Sequence, residues 1–213
     1  MAASAFAEVA TAGHRYIRVL LLGPPHYVPV SGIAASSAKA FATPLGEVSI
    51  ETDTVAALVD QGLVRIDDRA HAPEHSLEVE LPFLQTVLGD FTLLPLLVGG
   101  ASPEEVARVI GALMDERSLL VVSTDLSHYL DDTSAKVRDS ATAAAIERLD
   151  YTALGPYDAC GFSALNGALC AGREHGWAIK RLDLRNSGDT SGDRTHVVGY
   201  GAWAILAGEP EAH

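Results

Sequence analysis

Two histidines follow predicted buried strands, at points where functional groups commonly gather in α/β proteins. The apolar run Tyr16–Gly23 leads through two prolines to His26, and the run Ser118–Thr124 leads to Asp125 and His128. A neutral imidazole at a strand end can bind a metal or relay a proton, and a nearby carboxylate can fix its tautomer. The alternative is that each is a hydrogen-bonded loop histidine. Their joint occurrence at one predicted rim makes a metal or proton-transfer site an equally good interpretation.

A cysteine adds a third candidate group. Cys160 lies directly before a predicted helix over Gly161–Gly172, where unpaired N–H groups and the helix dipole favour a thiolate. Thiolate and imidazole together suit copper, zinc or iron. The alternative is a small buried residue, which is the interpretation we favour for Cys170, deeper in the same helix.

Two acidic segments have both a chemical and a structural interpretation. Glu74, His75 and Glu78 could support a neighbouring site or form half of a carboxylate site, but an acidic first helical turn explains them better. Asp189 and Asp193 lie in a Ser-Gly-Asp repeat that could form an active-site flap or a weak cation site. A Gly/Asp connection between strands is the favoured interpretation there.

The elements that must position these groups alternate along the chain. Continuous apolar runs predict strands covered on both faces, and helical spacing of leucines or a capping box predicts the helices between them. The predicted strands are Tyr16–Gly23, Phe91–Val98, Ser118–Thr124, Ala178–Leu184 and Val197–Leu206; the predicted helices are Glu74–Gly89, one opening at Ser102, Thr133–Leu149 and Gly161–Gly172. This alternation predicts an α/β fold with an open, mostly parallel sheet sandwiched by helices.

Composition limits the classes of protein and partner. The 213 residues contain 15 Lys and Arg against 28 Asp and Glu, a net charge of −13, which disfavours nucleic acid and anionic membranes as partners. No stretch is long and apolar enough for a membrane span, and no signal peptide is recognisable. The length suits a single domain over residues 1–213, and two unpaired cysteines favour the cytoplasm.

Taken together, these segments resemble the Memo family, the B component of the AmmeMemoRadiSam system. The matching stretches follow one another over nearly the whole chain: Leu22–Val30, Phe41–Ile50, Glu74–Leu84, Leu94–Gly99, Val121–Tyr129, Cys160-Gly161 and Ser187–Tyr200. The resemblance implies a fold like that of class III extradiol dioxygenases, which use non-haem Fe(II). It also implies iron or copper as the metal.

The resemblance assigns roles to four residues. His26 and Cys160 correspond to metal-site residues of the family, and Asp125 and His128 correspond to the acid/base groups beside that site. The implied function is a metal-dependent redox or oxygenase activity on an unknown small molecule. Two alternatives remain: a non-catalytic module that binds a ligand or peptide, and a thiol-based redox role for Cys160 alone.

The N-terminus departs from the family pattern. Members normally begin with a strand and a Pro-His-Ala-Gly-Tyr motif that supplies a third metal-site histidine, whereas Met1–Arg18 resembles the helix that follows this motif. His14 precedes the first predicted strand and cannot substitute. We therefore expect an N-terminally truncated domain with its third protein ligand missing. The absent strand would leave a sheet edge unpaired, which favours a homodimer.

Overall fold

The computed structural model describes residues 1–11 and 15–206, in which helices and strands alternate. The helices are α1 (Ala2–Thr11), α2 (Thr52–Asp60), α3 (Asp68–His71), α4 (Leu81–Leu88), α5 (Pro103–Leu113), α6 (Asp132–Glu147), α7 (Phe162–Glu174) and α8 (Gly188–Ser191), with a 3-10 turn at Glu78–Glu80. The strands are β1 (Arg18–Gly23), β2 (Ile33–Ala35), β3 (Ala40–Thr43), β4 (Gly46–Ser49), β5 (Arg65–Ile66), β6 (Thr92–Val98), β7 (Ser118–Val122), β8 (His128–Leu130), β9 (Ala178–Asn186) and β10 (Val197–Leu206). His14 lies outside the described residues. None of the described helices has both the length and the apolar character that crossing a membrane requires.

A five-stranded sheet with the order β5-β2-β6-β1-β7 forms the centre of the fold. Strand β1 runs parallel to both of its neighbours, β6 and β7, and β5 runs parallel to β2. Only the β2–β6 pair in this sheet is antiparallel among the described strands. The predicted α/β fold with a mostly parallel sheet flanked by helices is therefore confirmed.

Helices cover both faces of this sheet, which explains the unbroken apolar run in β1. Leu20 and Leu22 face a core cluster shared with α2, α5 and α7, whereas Val19 and Leu21 face a second cluster shared with α1 and α4. All four side chains are buried. Helices α5 and α7 approach closely at Gly167, where a Cβ atom would lie 2.2 Å from the Cβ of Val106.

The predicted helix over Glu74–Gly89 is shorter in the structure, and that prediction is wrong for its first part. The 3-10 turn and then α4 occupy its C-terminal portion, with Pro82 in the first turn of α4. Before them, the Glu74 carboxylate accepts hydrogen bonds from the main-chain N–H groups of His75 and Ser76. A side chain that binds its own neighbouring amides stabilises a turn in place of a helix. The capping box predicted at Ser102 is confirmed.

The last strands form a separate antiparallel sheet with the order β8-β10-β9, against which α6 packs. The connection between β9 and β10 contains the short helix α8. Its two acidic side chains serve the local backbone: Asp189 accepts from the N–H of Asn186 at 3.1 Å, and Asp193 accepts from the N–H of Thr195 at 2.9 Å. These contacts agree with the favoured interpretation of a structural connection.

Candidate metal and proton-transfer site

The adjacent parallel strands β1 and β7 end at the same edge of the central sheet, and the candidate residues follow those ends. His26 comes three residues after Gly23, and Asp125 three residues after Val122. The segment before α4 closes against this edge, because Ser76 Oγ donates to the carbonyl of Pro24 at 2.9 Å. Two segments distant in the sequence, around residues 26 and 74, are thereby joined.

Glu74 holds both the ring and the main chain of His26. Its Oε1 lies 2.9 Å from His26 Nδ1, and its Oε2 accepts a hydrogen bond from the main-chain N–H of His26. The Glu74 side chain is only 2% exposed, whereas that of His26 is 38% exposed. One edge of the imidazole is therefore fixed by a buried carboxylate, while the ring remains accessible.

The hydrogen bonds to Glu74 determine its charge state. Burial alone would raise the pKa of this carboxyl, but the bonds from the main chain and ring of His26 and from the N–H of Ser76 outweigh it and lower the pKa to about 2. Glu74 is consequently a carboxylate at neutral pH. A buried anion of this kind is tolerated because each oxygen has hydrogen-bond donors around it.

A second imidazole lies beside this pair. The ring of His75 stacks on that of His26 with centroids 5.7 Å apart, and its Nδ1 lies 3.9 Å from Glu74 Oε1. One donor atom from each of His26, Glu74 and His75 falls within 4.8 Å of the others, close enough for the three to hold a metal ion. The exposed ring of Tyr27 meets the His75 ring edge-on at 5.6 Å.

Asp125 and His128 form a second pair of groups. His128 Nε2 lies 3.8 Å from Asp125 Oδ2, a distance for electrostatic attraction but too long for a hydrogen bond. Burial raises the pKa of Asp125, and the nearby imidazoles of His128, His26 and His75 partly offset this. His26 and His75 act on the same carboxyl as His128 does. The His26–Glu74 pair and the Asp125–His128 pair are therefore coupled electrostatically. Strand β10 supports the loop, since Gly199 accepts from the N–H of Leu126 and donates to the carbonyl of Ser127.

Cys160 lies on the Asp125 side of the site. Its Sγ accepts a hydrogen bond from the main-chain N–H of Asp125 at 3.2 Å and lies 3.6 Å from Thr124 Oγ1. Burial raises the pKa of the thiol more than these two contacts lower it, and the charge of Asp125 raises it further. The expectation of a thiolate favoured by the helix dipole is therefore wrong: α7 begins two residues later, and desolvation dominates.

The structure thus places His26, His128 and Cys160 around Asp125, while the chemical roles of these four residues stay predictions. Among the described residues the three-donor grouping includes His26 but not Cys160. The sequence alone does not identify Glu74 and His75 as part of the site, because an acidic residue near a predicted helix start is explained by the helix dipole.

Two further residues, Glu80 and Tyr200, lie within the electrostatic influence of Asp125. Glu80 and Tyr200 have their pKa values raised, first by burial and then by the charge of Asp125, although a hydrogen bond from Ser123 to Glu80 acts in the opposite direction. No spacing in the sequence connects Glu80 or Tyr200 to residue 125.

The donors available at this edge fit a borderline first-row metal. Imidazole nitrogen suits iron, copper and zinc, and a thiol or carboxylate at the same edge of the sheet is compatible with each. The fold and the site together define an α/β protein with a histidine- and carboxylate-bearing candidate metal site at the carboxyl end of a mostly parallel sheet.

Comparisons with known proteins assign the chain to a family. The family model described as Memo-like protein matches residues 1–204, so the chain belongs to the Memo-like protein family. A MEMO1 family protein of Aeropyrum pernix is 38% identical over 200 residues, covering 86% of this chain and 70% of the relative. One from Thermotoga neapolitana is 34% identical over 212 residues, covering 94% and 75%.

A solved structure shares the fold. The crystal structure of an uncharacterized protein, JW3007, of Escherichia coli matches with a TM-score of 0.53 and 13% identity, covering 92% of this chain and 91% of that one. At this identity the similarity establishes a common architecture and carries nothing about activity.

Proposed function

We propose that the protein is a metal-dependent oxidoreductase of the Memo-like family, with iron or copper held through His26 and Cys160. The observation that carries the proposal is the meeting of two imidazoles, His26 and His128, with Asp125 and Cys160 beyond the ends of two adjacent parallel strands. The substrate is a small oxygenated molecule, in keeping with the resemblance to class III extradiol dioxygenases. The free cysteines favour the cytoplasm as its compartment.

The metal would supply redox chemistry and Lewis acidity when bound. The chain's own residues would manage protons. Asp125 lies beside the half-buried His128, with 3.8 Å between His128 Nε2 and Asp125 Oδ2. His128 is the group we propose to take a proton from a hydroxyl of the substrate, and the ionised carboxylate of Asp125 would stabilise the imidazolium that forms.

Metal content tests this proposal directly. The experiment loads Fe(II) anaerobically, or copper, onto the wild type, His26→Ala, Cys160→Ala and the double variant, and measures bound metal after desalting. His196→Ala is the control, because His196 is exposed, bonds its neighbour Thr195 and takes no part in the contacts described for the site. We expect stoichiometric metal in the wild type and control and a loss of at least about tenfold in affinity in His26→Ala. Unchanged metal content in the double variant would remove the metal assignment.

The second candidate function is a non-catalytic module that binds a small molecule or peptide at the same edge. Two exposed aromatic side chains favour it: Tyr27 beside His75, and Tyr129 beside His128 with ring centroids 5.8 Å apart. Tyr129 has a left-handed backbone, φ 59°, which costs about 1–2 kcal/mol for a residue with a side chain. Ring cleavage of a catechol with added Fe(II) would exclude this candidate, whereas ligand binding that persists in a chelator would favour it.

A further inference from the structure

We propose that Glu74 is a positioning residue and not a metal ligand: it holds His26 as the Nδ1–H tautomer, so that Nε2 is the nitrogen presented to the metal. This inference rests on the proposed function and deepens it. It also selects between two uses of the His26–Glu74–His75 grouping, since proximity alone would allow all three residues to bind the ion directly.

The first argument is that the carboxylate oxygen nearest both imidazoles has no free capacity. Oε1 accepts from His26 Nδ1 at 2.9 Å, from the N–H of His75 at 3.0 Å and from the N–H of Ser76 at 2.9 Å, and Oε2 accepts from the N–H of His26. A carboxylate oxygen has about two lone-pair sites, and three donors already share Oε1. A metal on Oε1 would have to displace these hydrogen bonds.

The second argument is the chemistry of the imidazole. A neutral histidine has one N–H and one lone pair, and the carboxylate beside Nδ1 requires the hydrogen there. The lone pair then resides on Nε2, at the opposite edge of a ring that is 38% exposed. A carboxylate that binds the far nitrogen of a metal-binding histidine orients the ring and raises its basicity.

The third argument is that the segment 74–76 bonds the segment 24–26 at more than one point. Glu74 bonds both the ring and the amide of His26, and Ser76 Oγ bonds the carbonyl of Pro24 two residues earlier. The prolines at 24 and 25 restrict the intervening backbone. The contacts of the segment 74–76 therefore set the direction of the ring.

The test has two readouts. The first is ¹⁵N NMR of histidine-labelled, metal-free protein at about pH 8, with the His26 signals assigned from a His26→Ala sample. The second is anaerobic calorimetric titration with Fe(II). Glu74→Ala is the variant, because it removes the acceptor, and Glu78→Ala is the matched control, because Glu78 is exposed on the following turn.

We expect wild type and Glu78→Ala to have the Nδ1–H tautomer at His26, and Glu74→Ala to lose that preference and bind Fe(II) about 10–100-fold more weakly. An Nε2–H tautomer in the wild type would overturn the inference, and so would a Glu74→Ala variant that keeps the preference. If the wild type binds no Fe(II), the proposed function fails while the tautomer still decides the role of Glu74. The wild-type tautomer needs no variant, so the inference stays testable even if Glu74→Ala does not fold.

Discussion

At the residue scale, Glu74 links the stability of the fold to pH. Its pKa is about 2 in the folded protein, against an ordinary value of 4.5, so its stabilising contribution is complete above about pH 4.5 and is lost as the pH falls toward 2. That contribution is worth at most about 3 kcal/mol. In urea unfolding between pH 7 and pH 2, we predict that the free-energy gap between wild type and Glu74→Gln narrows by up to this amount.

Comparing the two proteins at each pH cancels the contributions of carboxylates elsewhere in the chain, such as Glu51 beside Arg18, whose pKa values are also lowered. If the difference in unfolding free energy between the two proteins stays constant from neutral to acid pH, the hydrogen bonding described for Glu74 is contradicted.

Cys160 gives a second prediction at this scale. Because burial raises the pKa of its thiol, we predict slow alkylation by iodoacetamide at pH 7. The rate should rise only above the pH range in which ordinary thiols ionise. The measurement uses a Cys170→Ala background, so that the observed alkylation is that of Cys160 alone. Alkylation at neutral pH as fast as that of an unstructured cysteine would contradict it, and would revive the thiol-based redox function.

The sequence predicts the position of some site residues better than that of others. His26 and Asp125 follow strand ends and Cys160 precedes a helix, and such positions can be predicted from local patterns. The role of Glu74 depends on a partner 48 residues away, so no local pattern could reveal it. The thiolate at Cys160 was wrongly predicted because burial cannot be read from the position of a helix start.

At the scale of elements, the α5–α7 contact depends on the absence of a side chain. At Gly167 an added Cβ would lie 2.2 Å from the Cβ of Val106, whereas at Gly111, also helical, the nearest atom is His175 Nε2 at 3.7 Å. We predict that Gly167→Ala lowers the free energy of unfolding by about 1–3 kcal/mol, and that Gly111→Ala leaves it unchanged or raises it by up to about 1 kcal/mol. Thermal or urea unfolding measures both, and equal effects would contradict the close packing.

Element prediction succeeded for long apolar runs and failed for short pieces. The runs that became β1, β6 and β7 are covered on both faces, so their composition alone identifies them. The strands β2 and β5 are only three and two residues long. At that length pairing with a neighbour, and not local composition, decides the conformation.

At the scale of the whole molecule, β7 forms an edge of the central sheet. The bonds from Ser123 N–H to Leu22 and from Arg18 N–H to Arg117 show that odd-numbered residues of this segment face β1. The main-chain groups of Leu120 and Val122 therefore point away from the sheet, and no other described residue bonds them. Such an edge can accept another strand.

We propose that a second copy of the chain pairs with this edge, forming a homodimer. Val122→Pro should then shift the dimer toward monomer by at least about tenfold in dissociation constant, because proline removes the Val122 amide that points to the open edge. The Val122 side chain also packs against the core, so urea unfolding is measured alongside to separate a loss of pairing from a loss of stability. Light scattering after size exclusion measures the mass. A wild type that is monomeric at high concentration, or a variant that dimerises as well as the wild type, would contradict the proposal.

The mostly parallel sheet could be predicted from the alternation of strands and helices along the chain. The division of the strands into two main sheets could not. Strands β9 and β10 have apolar runs like those of the central sheet, but they pair with each other and with β8, and side chains of α6 cover them. A choice between sheets depends on contacts between distant segments, which periodicity does not encode.

The central claim, that His26 and Cys160 hold a metal ion at the ends of β1 and β7, is tested most directly by X-ray absorption spectroscopy of the copper-loaded protein. We predict imidazole and sulfur scattering in the wild type, with the sulfur contribution lost in Cys160→Ser and the imidazole contribution reduced in His26→Ala. A spectrum with only oxygen and nitrogen neighbours that is the same in the wild type and both variants would contradict the claim.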